Sequence, residues 1–440
     1  MRFPKVNWRR ILYALVCLGV LCLAVNYFGC VPAKQYKTAL QTTEHHPGST
    51  PTNTVLETSS DYTLGFVEFD DQGWLWNPQQ VTTLTNRLYA EQDTNGLLIV
   101  VFVHGWMHDA SPEDENVVMF RKKILRPLAT METFLSEKQH RPTRRVVGVY
   151  VGWRGLCQNV PLLNLLTFWD RKSAAERVGH GAVVELLCEL EKLRNQGNGQ
   201  HRGQIANHQR MSTKLLIIGH SFGGDVVYSA VAPILTERMI ENVNAAGEAQ
   251  APKTMGDLVV LINPAFEAAR FETVYRLGTT SQYPPGQHCT LAIFTSKSDM
   301  ATKIAFPIAR TVYTTFVQSH RDSEERAANQ TAIGHYNPYI SFDLAIHNKD
   351  RAKDEDIAKS GERVLALTEQ LKNASSKSNE DRTYRFTHCQ LEPRTNHVRN
   401  DPVFLVSVDP NIIPDHGSID RGVFTRFLAE FLSLLSETDR

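Results

Sequence analysis

One pattern in this sequence constrains its fold most. Short apolar runs alternate with stretches in which apolar residues recur every three or four positions, as they do in helices. Six runs rich in Val, Ile and Leu stand at 97–103, 144–153, 214–219, 257–263, 290–295 and 403–408. Continuous apolar runs are typical of strands that are covered on both faces. Strands that alternate with helices predict a parallel sheet with right-handed crossovers. The predicted fold class is therefore α/β, with a mostly parallel, doubly wound sheet and helices on both faces.

Two stretches carry the helical period most clearly. After residue 173, Val183, Leu187 and Leu190 fall on one stripe. Near the C-terminus, apolar residues recur every three or four positions between 423 and 435. Such stripes are typical of helices that pack one face on a core. We expect both stretches to cover the sheet.

Composition excludes some classes of function. The chain has 440 residues, of which 42% are hydrophobic and 21% charged, and its formal net charge is zero. These values are ordinary for a globular protein with a sizeable core. Without an excess of positive charge, no overall field attracts nucleic acid, so we expect no nucleic-acid partner.

The N-terminus has the layout of an export signal. Residues 11–25 contain no charged side chain, and four basic residues precede them: Arg2, Lys5, Arg9 and Arg10. This layout predicts a signal peptide or a signal anchor over residues 1–30, with the rest of the chain on the non-cytoplasmic side. We therefore expect a membrane-associated or secreted protein.

Two alternatives to a simple anchor remain open. Gly29 followed by Cys30 resembles the end of a bacterial lipoprotein signal, which would make Cys30 a lipidation site. The apolar segment could also be a helix that packs on the protein itself.

Composition also suggests the domain boundaries. Residues 31–60 are poor in large apolar side chains and rich in Pro, Ser and Thr, which predicts a flexible tether. Residues 61–440 are predicted to form the main domain. Within it, residues 303–401 separate the last two predicted strands and hold a long polar tract, so we expect an insertion above the sheet or a mobile surface segment.

No metal or disulfide framework can be identified in the sequence. The seven cysteines have no CxxC spacing. His45 and His46 are neighbours in the predicted tether, but a closed zinc site needs three or four converging ligands. We expect no metal and no organic cofactor.

A serine stands in a cramped position directly after one apolar run. Residues 219–223 read Gly-His-Ser-Phe-Gly, with a strand pattern before them and a helical pattern after them. This matches the nucleophile elbow, in which a sharp turn lifts the serine hydroxyl clear of the sheet. Gly219 and Gly223 fit because larger side chains would collide in the turn. Ser221 is the candidate nucleophile, and the amide of Phe222 points toward an oxygen bound beside it.

A serine nucleophile requires a base and an acid that orients the base. His416 lies in the loop after the last predicted strand and is the candidate base. Asp299, just past the run at 290–295, is the candidate acid. Glu267, which follows an earlier strand, is an alternative acid, and Asp409 and Asp415 are weaker rivals.

With these motifs the sequence resembles the α/β-hydrolase fold, in its lipase and esterase branch. The order serine, acid, histidine is that of the family. The resemblance covers roughly residues 97–435 apart from the insertion. It includes a His-Gly turn after the first strong strand, where Gly105 precedes Trp106. In the family this turn supplies a second oxyanion-hole amide, which here would be that of Trp106.

The resemblance implies a serine hydrolase that cleaves a small-molecule or lipid ester, or a thioester, through an acyl-enzyme. An amidase or peptidase of the same fold remains open, as does a catalytically silent binding protein. The aromatic residues Trp106, Trp153 and Phe266 follow strands and are candidates to line an acyl pocket. Neither acyl-chain preference nor oligomeric state follows from these patterns.

Overall fold

The computed structural model describes residues 13, 16, 19, 31–46, 52–157, 167–207, 209–241, 255–281, 283, 287–317, 319–347, 357–374, 383–395 and 401–437. The predicted signal or anchor segment, including Cys30, lies outside these residues apart from Tyr13, Val16 and Gly19. Among the described residues, none of the helices combines the length and apolarity needed to cross a bilayer.

The described residues form one sheet of 12 strands. The strands are β1 Ala39–Glu44, β2 Thr54–Thr58, β3 Tyr62–Glu68, β4 Leu97–Val103, β5 Arg145–Gly152, β6 Lys214–His220, β7 Leu258–Ile262, β8 Leu291–Ser296, β9 Phe342–Ile346, β10 Tyr384–Arg385, β11 Cys389–Pro393 and β12 Val403–Val408. Their spatial order is β1-β2-β3-β5-β4-β6-β7-β8-β12-β9-β11-β10. From β3 to β9 in this order all neighbours are parallel, and antiparallel pairs flank them on both sides.

Helices follow most of the parallel strands. They are α1 Gln79–Asn95, α2 Glu115–Met119, α3 Arg126–Gln139, α4 Phe168–His180, α5 Val183–Gln200, α6 Arg202–Ala206, α7 Phe222–Glu241, α8 Glu272–Thr280, α9 Phe306–Val317, α10 Ser323–Gln330, α11 Ile357–Ala374 and α12 Gly422–Glu437. A π-helical turn, Phe120–Leu125, joins α2 to α3, and another, Ala301–Ala305, precedes α9.

The core lies in two layers, one on each face of the sheet. Along β4, Ile99 and Val101 belong to the layer that contains α4, α5 and α7, whereas Val100 and Phe102 belong to the layer under α3 and α12. Because both faces are covered, every residue of β4 is buried. This explains the continuous apolar run and confirms the predicted α/β class with a mostly parallel sheet.

The six predicted strands are all present, and both predicted helical stretches are helices. β1 to β3 and β9 to β11 were not predicted. β3 is fully buried although it contains polar residues, because the side chains of Thr63 and Glu68 have hydrogen-bond partners. The hydroxyl of Thr63 donates to Glu91 (2.8 Å), and the carboxylate of Glu68 accepts from the amides of Tyr36 and Lys37. These partners cannot be read from the local pattern.

The prediction of a flexible tether over residues 31–60 is wrong for the described part of that range. It supplies β1 and β2, and β2 is buried. Lys37 is fully buried over the ring of Phe66, and its ammonium group donates to Glu57 (3.3 Å). Glu57 also binds Arg121 through both oxygens. Lys37 and Glu57 of this segment therefore belong to a buried ionic cluster and not to a solvated linker.

The insertion also differs from expectation. Part of the described stretch of residues 303–401 does not lie above the sheet, because β9, β10 and β11 continue the sheet beyond β12. Its helix α11 packs against α3 and α12, with Val364 and Leu367 buried. In β9 and β11, buried residues alternate with partly exposed ones, because only one face of each strand is covered.

Candidate active site

Ser221 occupies the single residue between β6 and α7, and its backbone is left-handed, with φ of 56°. This conformation is uncommon for a residue with a side chain. Hydrogen bonds hold it in place: the amide of Ser221 donates to Ile262 (3.0 Å), and its carbonyl accepts from Gly224 (3.0 Å) and Ala265 (3.2 Å). The turn therefore holds the serine side chain at the carboxyl end of the strand.

The motif glycines are explained by close backbone approaches. A Cβ on Gly219 would lie 2.5 Å from the carbonyl oxygen of Gly223, and one on Gly223 would lie 2.0 Å from that of Val103. A Cβ on Gly105 would lie 2.8 Å from the Cβ of Ser221. The turn after β4 and the turn after β6 thus touch each other, and only glycine fits between them.

The three predicted side chains of the triad meet. Nε2 of His416 lies 2.7 Å from Oγ of Ser221, and Nδ1 of His416 lies 2.8 Å from Oδ2 of Asp299. Because a carboxylate only accepts, Nδ1 carries the hydrogen and Nε2 is free to accept from the serine hydroxyl. The arrangement can remove a proton from Ser221 and stabilise the resulting imidazolium.

Asp299 is fully buried and held from several directions. Its Oδ1 accepts from the amides of Ala301 (3.0 Å) and Thr302 (3.1 Å), and its Oδ2 accepts from the hydroxyl of Thr302 (2.5 Å). Burial alone would raise the pKa of Asp299, but the hydrogen bonds and charge of His416 and the bonds from Thr302 outweigh burial, so the pKa is lowered. Asp299 is therefore ionised at neutral pH.

The loop that carries His416 is fixed through its main chain. The carbonyl oxygen of His416 accepts from Nε2 of His220 (3.0 Å) and from Nδ2 of Asn263 (2.9 Å). Burial, with the neighbouring His416, lowers the pKa of His220 to about 3, which keeps its ring neutral. Asn263 itself has a left-handed backbone and accepts from the amide of Ser296.

Serines at the end of β8 hold the same loop. The hydroxyl of Ser296 donates to the carbonyl of Ile413 (2.6 Å), and that of Ser298 donates to the carbonyl of Pro414 (2.7 Å). The segment that presents Asp299 therefore also positions the histidine.

Thr302 and His335 are among the residues beyond the triad that were missed from the sequence. The hydroxyl of Thr302 donates to Asp299 and therefore accepts from Nε2 of His335, at 3.0 Å. Burial lowers the pKa of His335 to about 4, so this ring is neutral. His335 lies in the insertion, 33 residues from Thr302, and no local pattern indicates that they touch.

The two predicted oxyanion-hole amides are available. Phe222 is the first residue of α7, where an amide has no helical acceptor. Within the described ranges, neither the amide of Phe222 nor that of Trp106 has a hydrogen-bond partner. His104 supports the turn before Trp106: its Nδ1 donates to the carbonyl of Gly105 and its Nε2 accepts from the amide of Trp153.

Aromatic rings flank this turn, but only one of the three residues predicted to line an acyl pocket is among them. Trp106 packs edge-on against Phe168 (5.6 Å between ring centres), which in turn contacts Phe222 (4.9 Å). Phe168 was not predicted. Trp153 instead stacks on His104, and Phe266 stacks on Tyr228 in the core. The indole N–H of Trp106 is buried and has no partner among the described residues.

The rival acids contact other groups. Glu267 pairs with Lys172 (3.1 Å) and Arg310 (3.0 Å). Asp409 accepts from the amide of Asn411, and Asp415 accepts from the amides of residues 417 and 418 within its own loop. Of the four candidates, only Asp299 contacts the ring of His416.

The described cysteines beyond residue 30 are free thiols: Cys157, Cys188, Cys289 and Cys389. Within the described ranges no group of three or more His, Cys, Asp or Glu could hold a metal ion.

A scan against models of known protein families gives no match for this chain, and a search of curated proteins gives none either.

Proposed function

We propose that this chain is a serine hydrolase of the α/β-hydrolase fold that cleaves a carboxylic ester or thioester through an acyl-enzyme. The observation that carries the proposal is the pair of contacts made by His416, one to the hydroxyl of Ser221 and one to the carboxylate of Asp299. The parallel sheet, the turn at Ser221 and the chain order of the three residues support the fold assignment.

In the proposed mechanism, Oγ of Ser221 attacks the substrate carbonyl while Nε2 of His416 takes its proton. The imidazolium is stabilised by the ionised Asp299, and it then returns the proton to the leaving alcohol or thiol. Water attacks the acyl-enzyme by the same route, with His416 again as base. No cofactor takes part in these steps.

The negative oxygen of each tetrahedral intermediate would be held by the amides of Phe222 and Trp106. Loss of one such donor typically raises the barrier by about 3 kcal/mol. The free indole N–H of Trp106 adds a further donor beside this turn, and the rings of Phe168 and Phe222 offer an apolar surface for an acyl chain.

The N-terminal segment suggests where the reaction takes place. We propose that residues 1–30 attach the protein to a membrane and leave the hydrolase on the non-cytoplasmic side. If replacing Cys30 leaves the protein membrane-bound and uncleaved, the segment is an anchor instead of a lipoprotein signal.

A fluorophosphonate probe tests the proposed nucleophile. The wild-type chain is expected to take one covalent label at Ser221, detected by mass spectrometry of the modified peptide, and Ser221→Ala is expected to take none. A folded wild-type chain that remains unlabelled would be a silent member of the fold. A series of nitrophenyl esters of increasing acyl length then measures chain preference.

A further inference from the structure

Large apolar side chains are exposed on one part of the molecule. In the described residues beyond 30 they are Trp74, Trp76, Met107, Met300, Ile304 and Ile308, with only Tyr89 and Ile240 elsewhere. Trp74 is 74% exposed and Ile308 is 62% exposed. An apolar set of this kind marks an interaction surface when its members are neighbours.

The topology places these six residues at one edge of the sheet. The two tryptophans follow β3, Met107 follows β4, and the other three follow β8, all at the carboxyl ends of parallel strands. From β3 to β8 is five strand spacings, which is about 24 Å. Met300, Ile304 and Ile308 are spaced by four residues and so follow one face of their helix. We call these six residues the apolar rim; Ser221, Asp299 and His416 lie at the same edge.

The chain leaves the predicted anchor at this edge. The amide of Val31 donates to the carbonyl of Cys157 (3.0 Å), and its carbonyl accepts from Arg154 (3.3 Å), both just past the carboxyl end of β5. The uncharged run ends at residue 25. Six residues of fully extended chain span about 20 Å at most. A membrane-embedded segment would therefore hold this edge within that distance of the bilayer.

From the rim and the exit of the chain together, we infer that the carboxyl edge of the sheet lies on the lipid surface into which the chain's own N-terminal segment inserts. The apolar rim would contact the acyl region, with the triad facing the bilayer. The inferred substrate, an ester carried in that bilayer, rests on the proposed function, whereas the docking itself does not.

Tryptophan quenching tests docking without catalysis. The full chain is reconstituted into phosphatidylcholine vesicles with and without brominated acyl chains, and the fluorescence of wild type is compared with that of Trp74→Phe. The difference isolates Trp74, and we expect brominated lipid to quench it by more than half. If brominated lipid leaves this difference in fluorescence unchanged, the inference is overturned.

A matched pair of variants tests the substrate class. Ile308→Glu places a charge on the rim, whereas Ile240→Glu changes an equally exposed isoleucine (58%) near the far end of α7, about 27 Å from the triad edge along the helix. We expect Ile308→Glu to lower hydrolysis of a vesicle-borne ester at least tenfold and to leave hydrolysis of a soluble nitrophenyl ester unchanged. Ile240→Glu should change neither rate.

The outcomes separate the two proposals. If both variants hydrolyse the vesicle-borne ester equally, the substrate inference fails although the hydrolase proposal stands. If wild type hydrolyses neither ester and takes no fluorophosphonate label, the proposed function fails, and the quenching experiment still decides the docking.

Discussion

At Ser221 the left-handed backbone is part of the proposed site. Holding a residue with a side chain in this conformation costs about 1 to 3 kcal/mol, and the surrounding hydrogen bonds must offset that cost. The amide and carbonyl of Ser221 both bind residues at or after the end of β7. The serine therefore depends on the neighbouring strand as well as on its own turn.

Replacing the acid tests the triad at single-residue scale. Asp299→Asn removes the charge that orients His416, and we expect kcat to fall about 10⁴-fold, with labelling of Ser221 slowed in parallel. Glu267→Gln is the matched control, because this buried carboxylate also follows a strand but pairs with Lys172 and Arg310. A larger loss from Glu267→Gln than from Asp299→Asn would reverse the assignment.

The candidate site was partly predictable at this scale. Ser221, Asp299 and His416 were found because each follows an apolar run, and the carboxyl ends of parallel strands share one edge. Thr302, His335 and Asn263 were not found, because side chains that support a site are brought to it by long-range packing. Trp153 and Phe266 follow strands as Trp106 does, yet their rings face the core, a distinction that strand position cannot make.

Among the structural elements, the loop after β12 depends on a histidine outside the triad. His220→Ala removes one of two donors to the main chain of His416, and we expect kcat to fall about tenfold with KM unchanged. His220→Gln keeps an N–H donor and should restore most of the rate. If both variants unfold, or if KM alone changes, His220 does not position the loop.

The buried ionic cluster of Lys37, Glu57 and Arg121 leads to a prediction about the N-terminal strands. Glu57→Ala leaves the buried side chains of Lys37 and Arg121 without their carboxylate, which should cost about 3 to 5 kcal/mol of unfolding free energy. Glu44→Ala in β1 is the control, since that side chain is exposed. Chemical denaturation compares them, and equal stabilities would favour a tether over an integral part of the sheet.

Over the whole molecule, stability should depend on pH through Asp401. Burial raises the pKa of this carboxyl to about 7 from an ordinary 3.8. Because the folded state favours the neutral acid, stability is lost as pH rises from about 4 to 7, by about 4 kcal/mol in total. Asp401→Asn should raise the free energy of unfolding, and we expect this increase to be about 2 to 3 kcal/mol larger at pH 8 than at pH 5. Urea unfolding of wild type and variant at both pH values measures this difference. An equal increase in unfolding free energy at both pH values would contradict the raised pKa of Asp401.

The fold as a whole was predicted at its centre and missed at its margins. Central strands are covered on both faces, so their sequences are continuously apolar and easy to recognise. β1, β2 and β9 to β11 lie toward the sides of the sheet, where partial exposure and buried ionic partners give polar sequences. Such segments resemble linkers and surface insertions until their partners are known.

The position of β12 has a consequence for biosynthesis. This strand follows β8 and β9 in the chain but fits between them in the sheet, and those two strands have no direct pairing with each other. Until it arrives, the nascent protein has an open gap in its sheet, and His416 has not yet been delivered to Ser221. The proposed triad can therefore assemble only after all the other described strands have been synthesised.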